Sequence, residues 1–254
     1  MTIGQGPPAL IIHCSLARHE MLLPLARMLP YRVTLFDLPG HGRSPDWDGV
    51  ADYHRLTTSI AAKLAAPASH LIGHSFGATV ALRLAIERPD LLARLTLIEP
   101  VFFAAARDEP EYPAHIAGFA QFVAAMARGD RTGAARVFTD TWGAGGWDQH
   151  SAATQAGIVR RIHLIEATVP AIEHDNAGML KPGRIAGIVV PVTLIQGANS
   201  PPIIAAIHRV LAGLLPQSRL VTIPGAGHMV PVTHPQETFK ALNLPRMPPI
   251  ADQR

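Results

Sequence analysis

Short apolar segments alternate with helical segments along the first part of the chain, and this alternation constrains the fold more than any other feature. Four segments have the character of buried strands and end at turn residues: 9–13, 32–36, 70–73 and 95–98. Stretches with apolar residues at helical spacing separate them, among them 16–29 and 77–86. Strands that alternate with helices pair in parallel through right-handed crossovers. The sequence therefore predicts an α/β fold with a mostly parallel sheet.

The strand pattern returns in the last third of the chain. Two further strands are predicted at 189–196 and 219–223, and a helix at 203–215 separates them. The proline-rich stretch 245–249 is expected to fray. The late strands continue the sheet that the first hundred residues begin.

A helical insertion interrupts the sheet. Its alanine-rich segments carry no clear strand and lie at 116–128, 132–142 and 154–166. We therefore assign residues 1–100 and 187–254 to a core domain and residues 101–186 to a helical subdomain. Periodicity alone leaves open whether this subdomain covers a pocket or is an ordinary run of packed helices.

The composition excludes several classes of protein. With 48% hydrophobic and 16% charged residues among 254, the chain has the usage of a packed globular protein. The single cysteine, Cys14, argues against a disulfide framework and a thiolate-rich metal site. The formal net charge is only +3 and the basic residues are scattered, so the sequence shows no basic patch of the kind that binds nucleic acids. Because the sequence shows neither a signal-peptide pattern nor an apolar window of bilayer length, we expect a cytoplasmic protein with no membrane span.

The pentapeptide Gly73-His74-Ser75-Phe76-Gly77 follows a predicted strand and opens a predicted helix. This is the context of a nucleophile elbow, in which flanking glycines make room for a serine on a strained turn. Ser75 is therefore the candidate nucleophile. The backbone N–H of Phe76, at the start of the helix, is the first candidate donor to an oxyanion.

A serine hydroxyl needs a base, and the chain contains 13 histidines. His228 follows the last predicted strand within Gly225-Ala226-Gly227-His228, where two glycines permit a sharp loop. It is the best candidate for the base on chain order and loop position. Other histidines have ordinary structural explanations at strand ends or at a helix start: His13, His70, His74 and His234.

Taken together, these segments resemble the α/β-hydrolase superfamily over nearly the whole chain. The resemblance is carried by Ile12-His13 after an early strand, the run from Phe36 to Ser44, the Ser75 elbow and Gly227-His228. It implies an eight-stranded, mostly parallel sheet flanked by helices, a helical cap inserted after the sixth strand, and a Ser-His-acid triad. It also favours a cap as the identity of residues 101–186.

The acid of that triad departs from the commonest pattern of the superfamily. An aspartate usually stands where this chain has Asn199, and an amide cannot stabilise an imidazolium as a carboxylate does. Glu99 directly follows the apolar strand predicted at 95–98. Several haloalkane dehalogenases, which resemble this fold, carry their acid at this position. We therefore expect Glu99 to be the triad acid, with a purely structural carboxylate as the alternative. Asp37 is expected to brace the loop that follows it.

The resemblance also implies a second oxyanion donor, and apolar residues of the chain suggest a pocket. By alignment the donor is the N–H of Ser15, although Cys14 replaces the usual glycine before it. Cys14 itself is expected to be a buried structural thiol. The residues expected to line an apolar substrate pocket are Leu16, Phe102, Phe103, Trp142 and Met229.

The function predicted from these residues is that of a cofactor-independent serine hydrolase. The best match is a carboxylesterase that acts on a small, partly apolar ester through an acyl-enzyme on Ser75. The same residues suit lactone, amide or carbon–carbon bond hydrolysis, acyl transfer and perhydrolysis, so these remain open. A protein that binds a small molecule without catalysis, with Asn199 marking a decayed triad, is the alternative from another class. Since no P-loop or dinucleotide fingerprint is present, no cofactor is expected, and a small-molecule substrate is the expected partner.

Overall fold

The computed structural model describes residues 1–244, which form a seven-stranded sheet with helices on both faces. The strands are β1 Thr2–Ile3, β2 Pro8–Ile12, β3 Arg32–Phe36, β4 Ser69–His74, β5 Leu92–Ile98, β6 Val192–Gly197 and β7 Ser218–Ile223. Their order is β1-β3-β2-β4-β5-β6-β7, and every pair is parallel except β1 with β3. The mostly parallel α/β fold is thereby confirmed. The proline-rich stretch 245–249 lies outside the described residues.

The sheet has one strand fewer than the eight implied by the resemblance. Ahead of β2 the chain contributes only β1, a two-residue strand on the edge of the sheet. The helical insertion therefore follows the fifth strand of the described chain instead of the sixth. The insertion still lies between β5 and β6 in the chain, and these two strands pair directly with each other.

Ten α-helices of the described residues connect and cover the strands. They are α1 Leu23–Ala26, α2 Tyr53–Leu64, α3 Phe76–Glu87, α4 Tyr112–Ala127, α5 Arg131–Trp142, α6 Ala152–Arg161, α7 His163–Ile172, α8 Pro202–Leu214, α9 Val230–Thr233 and α10 Pro235–Ala241. The helix predicted over 16–29 is wrong in extent, because only a 3₁₀ turn at His19–Leu22 and the short α1 form there. Leu16 has a left-handed backbone with φ of 62°, which an α-helix cannot contain.

Alternate side chains of the central strands fill two separate cores, one on each face of the sheet. In β2, Leu10 and Ile12 enter the larger core, whereas Ala9 and Ile11 enter the core on the opposite face. This division follows from the two-residue period of a strand. Because both faces are covered, the strands read as continuous apolar runs in the sequence.

The helices α4 to α7 occupy the predicted insertion and have a small apolar cluster of their own. It contains Phe122, Ala125, Ala134, Ala135, Trp147, Ile162 and Ile165. Side-chain caps set two helix starts: Asp130 accepts from the Gly133 N–H, and Ser151 accepts from the Thr154 N–H. Within residues 1–244, none of the helices combines the length and apolarity needed to cross a membrane. The compartment predicted from the sequence stays a prediction.

Close packing of β4 against α3 leads to a first prediction. A methyl group on Gly73 would come within 2.5 Å of the Ala78 Cα and would also meet the Gly77 carbonyl, both of them backbone. We expect Gly73→Ala to lower the free energy of unfolding by about 3 kcal/mol or more, because backbone must move. Gly213→Ala is the matched control, since nothing lies within 4 Å of its added methyl group. In α8 this substitution should be stabilising by up to about 1 kcal/mol. Chemical denaturation of both variants tests the difference, and equal stabilities would contradict it.

Burial of His208 in α8 leads to a second prediction. Neither ring nitrogen has a partner among the described residues, and burial lowers the pKa of this imidazole to about 3. The unfolded chain binds a proton near pH 6.5, whereas the folded chain stays neutral to about pH 3. This histidine therefore costs no stability above pH 6.5 and progressively more as the pH falls below it.

Replacing His208 by methionine should therefore flatten the pH dependence of unfolding. Between pH 6 and 4 we expect the slope of the unfolding free energy against pH to fall by about 1.4 kcal/mol per pH unit. Urea titrations across this range measure the slope, and the exposed His163 with the same substitution serves as the control. An unchanged slope in a folded H208M variant would mean that the folded chain protonates His208.

Candidate active site

The strand register brings two predicted site residues to one edge of the sheet. His74 pairs with Ile98, so β4 and β5 end level with each other. The residues that follow, Ser75 and Glu99, both have left-handed backbone, with φ of 55° and 52°. Their N–H groups continue the ladder, to the carbonyls of Ile98 and Ile195, each at 2.9 Å. Two strained non-glycine residues side by side are held by the surrounding hydrogen bonds, as is common at functional sites.

His228 connects Ser75 to Glu99 through a continuous chain of hydrogen bonds. Its Nε2 lies 2.9 Å from the Ser75 Oγ, and its Nδ1 lies 2.9 Å from the Glu99 Oε2. All three residues are buried, and Glu99 is 0% exposed. A carboxylate only accepts hydrogen bonds, so Nδ1 carries the proton and Nε2 accepts from the serine hydroxyl. This is the tautomer in which an imidazole can act as a base toward Ser75.

The second carboxylate oxygen of Glu99 is held from the opposite side. The Gly197 N–H donates to Oε1 at 2.6 Å, and the Ser200 hydroxyl donates to the same atom at 2.7 Å. These contacts offset the cost of burying the carboxylate, since a buried charge needs charge-assisted hydrogen bonds. Asn199 is exposed, and its N–H donates to the Ala226 carbonyl at 2.8 Å. The loop that usually carries the acid of the superfamily here supports an acid on the neighbouring strand.

A second histidine supports the loop that carries His228. The centroids of the His74 and His228 rings lie 5.4 Å apart, and the His74 Nε2 lies 2.9 Å from the His228 carbonyl oxygen. Burial, reinforced by the neighbouring His228, lowers the pKa of His74 to about 3. The imidazole is therefore neutral at physiological pH, with its proton on Nε2 donated to that carbonyl. His74 acts on the position of His228 and has no contact with the Ser75 hydroxyl.

The two candidate oxyanion donors, Ser15 and Phe76, lie beside Ser75 in the wall of one cavity. Phe76 is the first residue of α3, so its N–H has no carbonyl one turn before it to bond. Ser15 belongs to the loop after β2, where the N–H of the next residue, Leu16, donates to His41 Nε2 at 2.8 Å. This bond fixes the loop despite the cysteine in place of a glycine at its start.

Asp37 braces the neighbouring loop, as expected. One of its oxygens accepts from the His19 N–H and ring, and the other accepts from the Arg43 N–H at 3.0 Å. Burial opposes ionisation of this carboxyl, but these hydrogen bonds outweigh it and lower its pKa to about 2. Among the described residues, His19, Glu20 and Asp37 come close enough together to hold a metal ion. Because three donors already satisfy the Asp37 carboxylate, its structural role accounts for this arrangement without an ion.

Two adjoining cavities lie at the helical insertion, the inner one next to the carboxyl edge of the sheet. The inner cavity, about 40 Å³, is lined by Ser75, His228 and both oxyanion candidates, together with apolar side chains of the insertion. The outer cavity, about 260 Å³, lies between α4, α5 and the start of α8 and is almost wholly apolar. Four side chains line both cavities and form the wall between them: His115, Phe119, Phe138 and Trp142.

The residues predicted to line the pocket divide into two groups. Phe103 and Trp142 line the inner cavity, and the Trp142 ring meets the His228 ring edge-on at 4.8 Å. Phe102 is 0% exposed in the larger core and does not line the inner cavity. Leu16 packs on the apolar cluster of the insertion, and Met229 is half-buried beyond the cavity wall. These three residues lie away from the described lining.

Several residues of the site could not be found from the sequence. Gly197 and Ser200 contact Glu99 from 98 and 101 positions away along the chain. His115 and Glu173 form a buried pair in the cavity wall, and no motif connects them. The sequence contains one signal for Gly197 and Ser200. Their loop resembles the loop that carries the acid in the superfamily, except that Asn199 stands in place of the aspartate.

Comparison with known proteins agrees with this fold and site. A parallel sheet with a serine elbow and an imidazole–carboxylate pair at its carboxyl edge defines the class of α/β-hydrolase folds. A family model described as the alpha/beta hydrolase family matches residues 9–241, so the chain belongs to this family and is a hydrolase.

Relatives with assigned names cover nearly the whole chain. The chain is 27% identical over 248 residues to a pimeloyl-[acyl-carrier protein] methyl ester esterase of Xanthomonas campestris pv. campestris (strain B100), covering 95% of each protein. It is 29% identical over 258 residues to an esterase of the same name from Aeromonas hydrophila subsp. hydrophila, covering 94% of this chain and 95% of that protein. The crystal structure of a hydrolase from Pseudomonas aeruginosa PA01 matches with a TM-score of 0.71 and 21% identity, covering 95% and 91%.

The environment of Cys14 leads to a third prediction. The thiol is 5% exposed, and burial raises its pKa to about 12. A thiol in this state has almost no thiolate at neutral pH, and the thiolate is the reactive form. We expect iodoacetamide at pH 8 to leave Cys14 unmodified in the folded protein and to modify it in guanidinium chloride, as measured by intact mass. Equal rates in both conditions would show that Cys14 is an accessible thiol.

Proposed function

We propose that the protein is a serine carboxylesterase that acts through an acyl-enzyme on Ser75. The observation that carries this proposal is the hydrogen-bonded chain from Ser75 through His228 to Glu99, with both links at 2.9 Å. His228 serves as the general base and Glu99 as the triad acid. The family assignment and the esterase names of the relatives support the same class of reaction.

The geometry supports a two-step reaction in which each proton has a stated place. As the Ser75 Oγ attacks the ester carbonyl, its proton moves to His228 Nε2, and an oxyanion forms on the former carbonyl oxygen. The imidazolium then gives this proton to the departing alkoxide, and the acyl group remains on Ser75. A water molecule, deprotonated by the same Nε2, then attacks the acyl-enzyme. Nε2 returns this proton to the departing Ser75 Oγ, so the carboxylic acid is released and the starting hydroxyl and neutral imidazole are restored.

The remaining groups stabilise the charges that this reaction creates. The N–H groups of Ser15 and Phe76 are the proposed donors to the oxyanion, and each is worth about 3 kcal/mol in the transition state. Glu99 stabilises the imidazolium and keeps the proton on Nδ1. Its own position is fixed by the Gly197 N–H and the Ser200 hydroxyl.

The cavities favour an uncharged, partly apolar ester. The inner cavity of about 40 Å³ accommodates only small groups beside Ser75, whereas the outer cavity of about 260 Å³ offers room for an apolar chain. A charged group among these apolar walls would lose its hydration without compensation. Together with the names of the relatives, this favours the ester of a small alcohol, and a methyl ester is the first substrate to test.

Labelling with a fluorophosphonate probe tests the nucleophile without assuming a substrate, and it is the fourth prediction. We expect one covalent adduct on Ser75, located by peptide mapping, and no adduct in the Ser75→Ala or His228→Ala variants. The Ser75→Ala variant should also hydrolyse no short-chain nitrophenyl ester. Folded protein that neither reacts with the probe nor hydrolyses any ester would instead support a small-molecule-binding protein with the same fold.

The assignment of the acid gives a fifth prediction. In Glu99→Gln the amide can donate to Nδ1, which forces the proton onto Nε2 and removes the base from Ser75. We expect kcat to fall by a factor on the order of 10³ or more. Asn199→Ala is the matched control because its side chain is exposed, and it should change kcat by less than about 3-fold.

Thermal unfolding of both variants separates catalysis from folding. Equal losses of kcat in stable Glu99→Gln and Asn199→Ala proteins would overturn the division of roles between the two residues.

A further inference from the structure

A buried imidazole–carboxylate pair stands in the cavity wall, apart from the groups that the proposed reaction uses. His115 of α4 and Glu173, just after α7, meet through Nε2 and Oε1 at 2.7 Å, and their side chains are 6% and 5% exposed. The Tyr112 hydroxyl donates to the second carboxylate oxygen of Glu173 at 3.2 Å. The Arg107 guanidinium donates to the Glu173 backbone carbonyl at 2.7 Å. The carboxylate is thus held from two sides and fixes the imidazole in turn.

The pairing decides which ring nitrogen of His115 is available to a ligand. A carboxylate only accepts hydrogen bonds, so Nε2 must carry a proton and donate it to Glu173. Within residues 1–244, Nδ1 has no hydrogen-bond partner, and it is not among the buried polar atoms without one. His115 lines both cavities, and Nδ1 is the ring nitrogen that the pairing with Glu173 leaves for a ligand.

Aromatic contacts fix the orientation of the His115 ring. Phe103 stacks on it with a centroid separation of 3.9 Å and an interplanar angle of 25°. Phe119 lies nearly parallel on it, at 6.2 Å and 16°. Phe103 also contacts Trp142, whose indole meets the His228 ring. The imidazole is therefore held in one orientation at the wall between the cavity beside Ser75 and the outer cavity.

We propose that His115, positioned by Glu173, is a specificity-determining residue that hydrogen-bonds a hydroxyl group on the substrate. This inference rests on the proposed esterase function and narrows its substrate to a hydroxy-substituted ester. The hydroxyl lies on the arm of the ester that passes from the inner to the outer cavity.

A hydroxyl fits this position better than other polar groups. It can donate to a neutral Nδ1 or accept from a protonated one, so it matches His115 in either protonation state. A carboxylate or an ammonium group would be desolvated among the aromatic side chains of the wall. A fully apolar substrate would cover Nδ1 and leave it without a partner, which costs binding energy.

Matched substrates test this recognition directly. In the acyl arm, methyl β-hydroxybutyrate is compared with methyl isovalerate, in which a methyl group replaces the hydroxyl. In the alcohol arm, isoamyl acetate is compared with the acetate in which a hydroxyl replaces one terminal methyl group. For at least one pair we expect kcat/KM to favour the hydroxyl ester by about 10-fold or more, mainly through KM.

Two variants separate recognition from a purely structural role of the pair. His115→Phe keeps a stacked ring without either nitrogen, and His115→Gln keeps a group that can donate to Glu173 but lacks Nδ1. Both should reduce the preference for the hydroxyl ester to about 3-fold or less. His163→Gln, at the exposed start of α7 and outside both cavities, is the matched control and should keep the preference.

The outcomes distinguish this inference from the proposed function. If the His115 variants lower kcat/KM equally for both members of a pair, the pair only joins α4 to α7 and the inference is overturned. A wild-type protein that hydrolyses esters without any preference within the two pairs would overturn it as well. If the wild-type protein hydrolyses no ester and does not react with fluorophosphonate at Ser75, the esterase proposal itself fails. Should His115→Phe not fold, as judged by thermal unfolding, His115→Gln carries the test.

Discussion

The register between β4, β5 and β6 is the constraint on which the rest of the site depends. His74 pairs with Ile98, so β4 and β5 end level with each other, and Ile98 pairs with Ile195 two residues before the end of β6. A shift by one residue in β4 or β5 would turn Ser75 or Glu99 toward the opposite face. Because these strands are buried on both sides, packing specifies the register strongly.

The position of Glu99, directly after β5, follows from the same register. Glu99 lies between the strand that carries Ser75 and the loop at Gly197 and Ser200, which supplies two donors to its carboxylate. A carboxylate that is 0% exposed is costly without such partners. The Gly197–Ser200 loop thus supports a buried carboxylate that follows the neighbouring strand, while its own Asn199 is exposed.

The helical insertion supplies much of the cavity wall at this edge of the sheet. Trp142 packs edge-on against His228, and the same wall carries His115 and Phe119. The residues that follow the strands of the sheet therefore form the hydrogen-bonded chain, whereas side chains of α4 and α5 line the space around it. This separation agrees with the general observation that one fold and one triad serve many substrates.

The sequence by itself determined the α/β class, and it predicted that Ser75 and His228 come together, because these features are local or have a fixed chain order. Glu99 was proposed from its place at the end of an apolar strand and from the resemblance to haloalkane dehalogenases. The structure alone revealed the support from Ser200 and the pair of His115 with Glu173, and it alone separated Phe103, which lines the cavity, from Phe102, which does not. Such contacts join residues far apart in the chain, and they depend on side-chain directions that neither periodicity nor motif spacing encodes.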